Sequence, residues 1–376
     1  MNPIKTKLIC LLILLTLLLS GCSSILFLKD RPMPMRDENP NQTAEILEYQ
    51  YLTAGVVQGY DPQRQTLLLI DRSSAAPASN AINIFDQSAE NKLSNLILSD
   101  KIHHMVRFDE NKEGIYYLQQ ESAPTGNIDT GIGNQQLMWT SLDKSITETI
   151  SHPDYSVTSP FCFVHDDSVL YANSKNEIIV TDHNQHRKVY KNVENHQISE
   201  LAYDPELNKM IYIGQTPKDE KKRLYMVDMS EENLKPTLLD SNVAYFDYNR
   251  HTGTLAFIQE TNADNKLYTY NLRDPQPPVI LYSGNIKRVF IAPDDSGIFF
   301  TRGNKPTEQP LEAIYYTDLL GKNIVQITAP LKLASAIMIE PKSQNLYFSI
   351  ERFQSAEPIG DKMIDVYALH YRLHKE

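Results

Sequence analysis

From about residue 44 onward, short apolar segments alternate with polar turns, and the rhythm persists to the end of the chain. "VVQGYDPQRQTLLLI", "MVRFDENKEGIYYL", "ISELAYDPELNKMIYIG" and "VFIAPDDSGIFFT" each read as an apolar segment, a turn and a second apolar segment. Val, Ile, Tyr and Phe fill the segments, while Asp, Pro, Asn and Gly bound them. Those are the residue types of β-strands and tight turns. Almost no stretch after residue 43 carries the 3.6-residue apolar period of an amphipathic helix, so the pattern predicts an all-β chain.

A longer period is superimposed on the short one. One apolar residue, often followed by Tyr, then variable positions and a small polar residue, recurs seven times: INIFD from Ile82, LMWTS from Leu137, IIVTD from Ile178, LYMVD from Leu224, LYTYN from Leu267, IYYTD from Ile314 and VYALH from Val366. Successive copies start about 41 to 55 residues apart, the spread expected of propeller blades with loops of unequal length. With the strand–turn–strand unit upstream and a further apolar segment downstream ("KNIVQIT", "LKPTLLD"), each unit holds four strands. The expected fold is a seven-bladed β-propeller of four-stranded antiparallel blades. Its last unit runs out at Glu376 after three strands, whereas "AEILEYQYLT", Ala44–Thr53, has strand composition and no partner nearby. Pairing these N- and C-terminal strands would close the ring and remove two open edges.

Residues 289–328 resemble the PDG-type repeat of TolB-like propellers, in which a strand ends in Pro-Asp, turns through a glycine and leads to a tyrosine strand ending in Asp. Pro293, Asp294, Gly297, Tyr315, Asp318, Gly321 and Thr328 occupy the matching positions. Other copies are worn: Asp204-Pro205 reverses the order, and the fifth unit reads "DYNRHTG". The resemblance implies the same architecture over residues 46–376, without the separate amino-terminal domain of TolB proteins. A WD-repeat reading is weaker, because Trp139, the single tryptophan, is not followed by Asp.

The amino terminus obeys different rules. Lys5 and Lys7 precede an apolar run from Leu8 to Leu19, closed by Ser20 and Gly21. A run of about a dozen apolar residues falls short of the roughly twenty that span a bilayer, and the flanks are those of a secretory leader. Leu19-Ser20-Gly21-Cys22 resembles the lipobox of bacterial lipoproteins, which implies cleavage before Cys22 and acylation of that cysteine, with palmitate among the chains. Two or three acyl chains anchor stably where one does not. The expected organisation is a signal peptide at 1–21, a lipidated Cys22 with a flexible tether at 22–43, and a propeller domain at 44–376. Ser23 rather than Asp after the cysteine implies, by analogy, the outer membrane, with the protein facing the periplasm.

Charge and cysteine content narrow the partners. Thirty-six basic against 47 acidic side chains leave −11, and loss of the leader removes two lysines more. Such a surface repels phosphate backbones, so no nucleic-acid partner is expected. With Cys10 discarded and Cys22 lipidated, Cys162 in "SPFCFVHDD" is left as a buried thiol; no disulfide, internal or to a partner, is expected.

No GxSxG, HExxH, P-loop, CxxC or EF-hand pattern occurs. "SLDK" at Ser141–Lys144 fits SxxK without companion motifs, and Asp166-Asp167 and Asp294-Asp295 read as turn caps. His183 and His186 in "DHNQH" read as exposed turn residues. No catalytic residues, metal ligands or cofactors beyond the covalent lipid are therefore assigned. Binding is expected on the face carrying the long polar loops between second and third strands, which hold Asp129, Lys218, Arg302, Lys305 and Arg352. His103, His104, Glu200 and Arg288 begin inner strands, where side chains can line the central channel. The leading expectation is a non-enzymatic envelope scaffold for a protein or glycan; the alternative is a polysaccharide lyase or hydrolase with its site at the channel mouth.

Overall fold

The computed structural model describes residues 44–373, apart from 72–80, 91, 100, 110, 112, 121–133, 166–167, 183–185, 192–194, 217, 232, 263, 304–310, 343 and 354–361. These residues form seven four-stranded antiparallel sheets, the blades of a seven-bladed β-propeller. Strands are lettered a to d from the channel to the rim. The inner strands are Val56–Asp61, Ile102–Phe108, Cys162–Phe163, Gln197–Asp204, Val243–Asn249, Ile286–Ile291 and Met338–Glu340, in blades 1 to 7. All seven copies of the tyrosine pattern fall on strand c, from Ile82–Asp86 in blade 1 to Lys362–Leu373 in blade 7.

The apolar periodicity follows from how the blades stack. Apolar side chains sort into seven clusters, one between each pair of neighbouring blades. Strand b of blade 1 shows the division: Leu67 and Leu69 face blade 7, while Leu68 and Ile70 face blade 2. A strand covered on both faces reads as a continuous apolar run, and all five residues of Thr66–Ile70 are buried. Each such Leu or Ile contributes about 1.5–3 kcal/mol by leaving water. Rim strands are covered less: in Arg187–Lys191 only Tyr190 is buried.

The turn glycine of the PDG-like unit has a packing reason. A Cβ on Gly297 would stand 2.3 Å from the ring of Tyr316 on strand c, whose hydroxyl donates to the Ser296 carbonyl at 2.7 Å. Gly114 in blade 2 is covered in the same way by Trp139, with a virtual Cβ contact of 2.5 Å. An aromatic on strand c thus lies flat over a glycine at the a–b turn in both blades.

The ring closes as the orphan strand suggests. Ala44–Ala54 is strand d of blade 7 and pairs antiparallel with Lys362–Leu373, from Ala44 opposite Leu373 to Ala54 opposite Asp365. Tyr49 stacks on Tyr367 at 4.7 Å, and the Gly55 amide donates to the Ile364 carbonyl at 2.8 Å. Hydroxyls also serve strand amides: across the blade 1–blade 7 junction the Val57 amide donates to Ser349 Oγ at 2.9 Å, and within blade 3 the Ala172 amide donates to Ser159 Oγ at 2.7 Å.

On the face of the a–b turns, polar side chains bolt neighbours together. Arg273 of blade 5 donates to both oxygens of buried Asp204 in blade 4, at 3.0 and 3.2 Å, and Tyr248 donates to the same carboxylate. Asp295 of blade 6 accepts from Asn249 and Thr254 of blade 5 at 2.7 and 2.6 Å. The Asp294-Asp295 turn is therefore an inter-blade contact as well as a local cap, the latter made by Asp294 on the Ser296 amide at 3.0 Å.

Candidate functional site

Five inner strands carry a register shift near the end where they enter from the preceding blade. It lies between Val57 and Gly59, His104 and Arg107, Ile198 and Glu200, Val243 and Tyr245, and Ile286 and Arg288. A bulge re-aims the side chains that follow it. In four of the five blades the first residue after the bulge is Arg107, Glu200, Tyr245 or Arg288. The bulge in blade 2 holds Met105 at φ 49°, a left-handed backbone that a bulky L-residue seldom adopts. Local irregularity and polar side chains thus coincide around the axis.

Two neighbouring lobes lie among these strands. One, of about 190 Å³, is lined by Arg107, Glu200, Tyr203, Tyr245, Asp247 and Arg250. The other, of about 440 Å³, is lined by Val57, Tyr60, Met105, Phe163, Ala336 and Met338 among others. Arg107 and Phe163 belong to both. The first lobe is polar and the second mainly apolar, so the channel has two unlike sides.

Burial in the polar lobe outweighs the local cations. It raises the Glu200 carboxyl to about 7, although Arg107 and Lys222 pull it down; Asp247 adds to the rise. Asp247 is likewise raised by burial, against its hydrogen bonds from the Ile291 amide at 2.7 Å and the Tyr248 amide at 2.9 Å. Burial, with Asp247 and Glu200 adding, raises the Tyr245 phenol. Arg288 is committed elsewhere: it donates to Glu312 at 3.0 and 3.2 Å and to the Ser335 carbonyl at 2.6 Å. Neither Arg107 nor Glu200 makes an ion pair or hydrogen bond among the described residues; the Arg107 guanidinium lies over the Phe161 ring at 5.7 Å.

Of the residues singled out in the sequence, Glu200 lines the polar lobe. His103 does not line either lobe: it is fully buried, edge-on to Tyr117 at 5.3 Å, with neither ring nitrogen hydrogen-bonded. Burial, with His104 and Lys101 adding, lowers it to about 4. His104 is half-buried beside it. Lys218 is exposed in the b–c connection of blade 4. Arg302, also exposed, ends strand b of blade 6, 5.9 Å from the Tyr282 ring. Arg352 ends strand b of blade 7 but is ion-paired with buried Asp365. Asp129, Lys305 and Cys22 lie outside the described residues, as do His183, Asp166 and Asp167. Ser141 and Lys144 belong to a c–d turn: Ser141 Oγ donates to Asp143 at 2.6 Å and Lys144 to the Asn95 carbonyl. Cys162 is buried, and its thiol is pushed up to about 12.

Arg107, Tyr245 and Asp247 were not among the sequence candidates. Their signal is faint but present: "VRF" and "YFDY" put a charge inside an apolar inner strand, and only alignment of the seven inner strands makes that comparable between blades. Among the described residues no group of three or more His, Cys, Asp or Glu is placed to hold a metal ion.

No protein-family model matches the chain, and no curated protein matches its sequence. Solved propellers resemble its fold. An oligogalacturonate lyase in complex with manganese has a TM-score of 0.63 at 10% identity, covering 92% of this chain and 99% of that one. An oligogalacturonate lyase from Vibrio parahaemolyticus has a TM-score of 0.60 at 9% identity, over 90% and 96%. TolB from Acinetobacter baumannii has a TM-score of 0.46 at 15% identity, over 70% of this chain and 63% of that one. At these identities the likeness to the two lyases bears on the propeller architecture alone.

Proposed function

We propose that this chain is a lipid-anchored propeller of the cell envelope that serves as a binding scaffold for an envelope protein or glycan. The observation that carries the reading is that Arg302, at the end of a strand b, and Lys218, in a b–c connection, are exposed cations contributed by separate blades to the same b–c side of the ring. Exposed cations on a preorganised ring suit recognition of a larger surface. The lipobox-like segment ending at Cys22 supports attachment to a membrane, with the outer membrane and a periplasmic orientation following from Ser23. Strand d of blade 7 begins at Ala44 on the a–b turn side, because each antiparallel strand reverses direction. A tether of about twenty residues entering there reaches roughly 25 Å and leaves the b–c face turned away from the lipid.

The test is crosslinking and capture from intact membranes with wild-type protein and with an Arg302→Ala/Lys218→Ala variant. Reduced recovery of one defined partner at unchanged melting temperature supports the reading; equal recovery removes the b–c face from it. Cys22→Ser, in the same cells, should abolish incorporation of an alkyne fatty acid, and persistent labelling excludes the anchor.

A second reading is favoured by one feature. Glu200, raised to about 7 in the lobe that Arg107 also lines, is suited to take a proton from a sugar ring carbon while the cation steadies the developing charge. The glycosidic C–O bond on the next carbon then breaks, a C=C bond forms, and the departing oxygen takes its proton from water. The oligogalacturonate lyases that share the fold make oligogalacturonate the first substrate to assay. Ultraviolet-absorbing unsaturated product lost in Glu200→Gln would establish that reading, and absence of product would remove it for this substrate.

A further inference from the structure

We propose that the central channel binds a small zwitterion with an apolar body, an apolar α-amino acid, with its carboxylate on Arg107 and its ammonium group beside Glu200 and Asp247. The inference goes beyond the scaffold reading, since it concerns the interior of the ring and stands whether or not a macromolecule binds the rim.

Four observations converge on it. First, Arg107 lines both lobes and has no ion pair or hydrogen bond among the described residues, so its donors are available to a carboxylate. Second, Glu200 is also unpaired among the described residues, and it shares its lobe with Asp247. Burial disfavours the charge of both acids, and a cation brought between them relieves that penalty. Third, Arg107 and Glu200 influence each other electrostatically without meeting, so unlike charges face each other across space rather than closing on themselves. Fourth, the adjoining lobe of about 440 Å³ is walled by Val57, Tyr60, Met105, Phe163 and Met338, within the range of roughly 300–1,000 Å³ typical of small-molecule pockets.

Simpler ligands fit less well. A plain anion would satisfy Arg107 and then meet two acids. A plain cation would satisfy the acids and meet Arg107. A neutral sugar would leave the apolar lobe unmatched and both charges unanswered. Arg250, the other cation of the lobe, donates to the Val164 carbonyl at 3.0 Å; a zwitterion answers Arg107 and the two acids with opposite charges and turns its apolar side chain into the larger lobe. Residues of the bulged inner strands hold these groups, so the site is built on rigid elements.

The experiment is titration calorimetry on the full chain near neutral pH with L-leucine and L-phenylalanine. The analogues are L-leucinamide, which lacks the carboxylate, 4-methylpentanoate, which lacks the ammonium group, and glycine, which lacks the apolar body. Saturable binding of either amino acid is expected, weakened at least about tenfold by loss of either charge or of the side chain. Arg107→Gln and Glu200→Gln should each weaken it similarly, and Lys191→Ala on the blade 3 rim should leave it unchanged. Absence of binding by both amino acids overturns the proposal. So does equal binding of 4-methylpentanoate or L-leucinamide, a result obtained on the wild-type protein and therefore independent of how the variants fold.

Discussion

Replacing Glu200 with Gln removes a buried titration that acts on stability in the direction opposite to that of His103. Burial displaces Glu200 from near 4.5 to about 7. Because the folded value is the higher one, the associated stability is present below about 4.5 and is lost as pH rises through 7. His103 is displaced from near 6.5 to about 4. Its contribution is present above about 6.5 and is lost as pH falls through 4. Each displacement corresponds to roughly 3 kcal/mol, at about 1.36 kcal/mol per pH unit. The slopes of these two groups oppose each other between about pH 4.5 and 6.5. Glu200→Gln should therefore gain on the wild type by roughly 3 kcal/mol between about pH 4.5 and 7.5, a relative rise in melting temperature of about 5 °C for a domain of this length. His103→Phe should show the reverse, its advantage appearing on the acid side. Thermal melts followed by Trp139 fluorescence across this range provide the assay, and subtracting wild type cancels the carboxylates that do not interact with Glu200. Parallel curves for Glu200→Gln and wild type would refute the reasoning.

Removing Arg352 should be costly although it lies at the end of its strand, because Asp365, only 1% exposed, would keep its charge without a partner. Arg352→Ala should lose about 3–5 kcal/mol in urea denaturation, with the double variant Arg352→Ala/Asp365→Ala recovering a large part of it. No recovery in the double variant would mean that packing, not charge, holds this corner. Deleting residues 44–54 should weaken the whole ring rather than blade 7 alone. Hydrogen exchange in the blade 4 strand Lys209–Thr216, distant in sequence, should accelerate, and normal protection there would show that closure is local.

The architecture was legible because doubly covered strands leave a strong imprint. Segments such as "LLLI" and "IFF" are apolar throughout, since alternate side chains enter clusters on opposite sides. Rim strands such as Leu93–Ile97, with three exposed residues, left a fainter one. Ala44–Thr53 was recognisable as a partner for the last strand because its composition had no other use, and its register with Lys362–Leu373 bears this out. The channel was less legible. Bulges invert which side of a strand a residue presents, and sequence alternation cannot show them; Glu200 was identified by position, while Arg107 and Asp247 were not. His103 illustrates the converse: it begins an inner strand, yet the ladder turns it into the blade, against Tyr117.

Strand Ala44–Ala54 lies on the opposite end of the chain from the strand it completes. In a polypeptide made or exported amino end first, it is the earliest strand of the propeller to emerge and the last to find its neighbour. Until Lys362–Leu373 follows, six blades stand as an open arc, with Tyr49 unstacked, the amides and carbonyls of Ala44–Ala54 unpaired and the apolar faces of blades 1 and 6 not yet fully covered by blade 7. Pairing across more than three hundred residues carries a large loop-closure entropy, and a waiting edge strand is a template for other chains. The latch that makes the finished ring durable therefore makes the unfinished one vulnerable: folding intermediates should be most prone to aggregate in the interval before the final strand arrives, and a holdase that shields extended strands would act there.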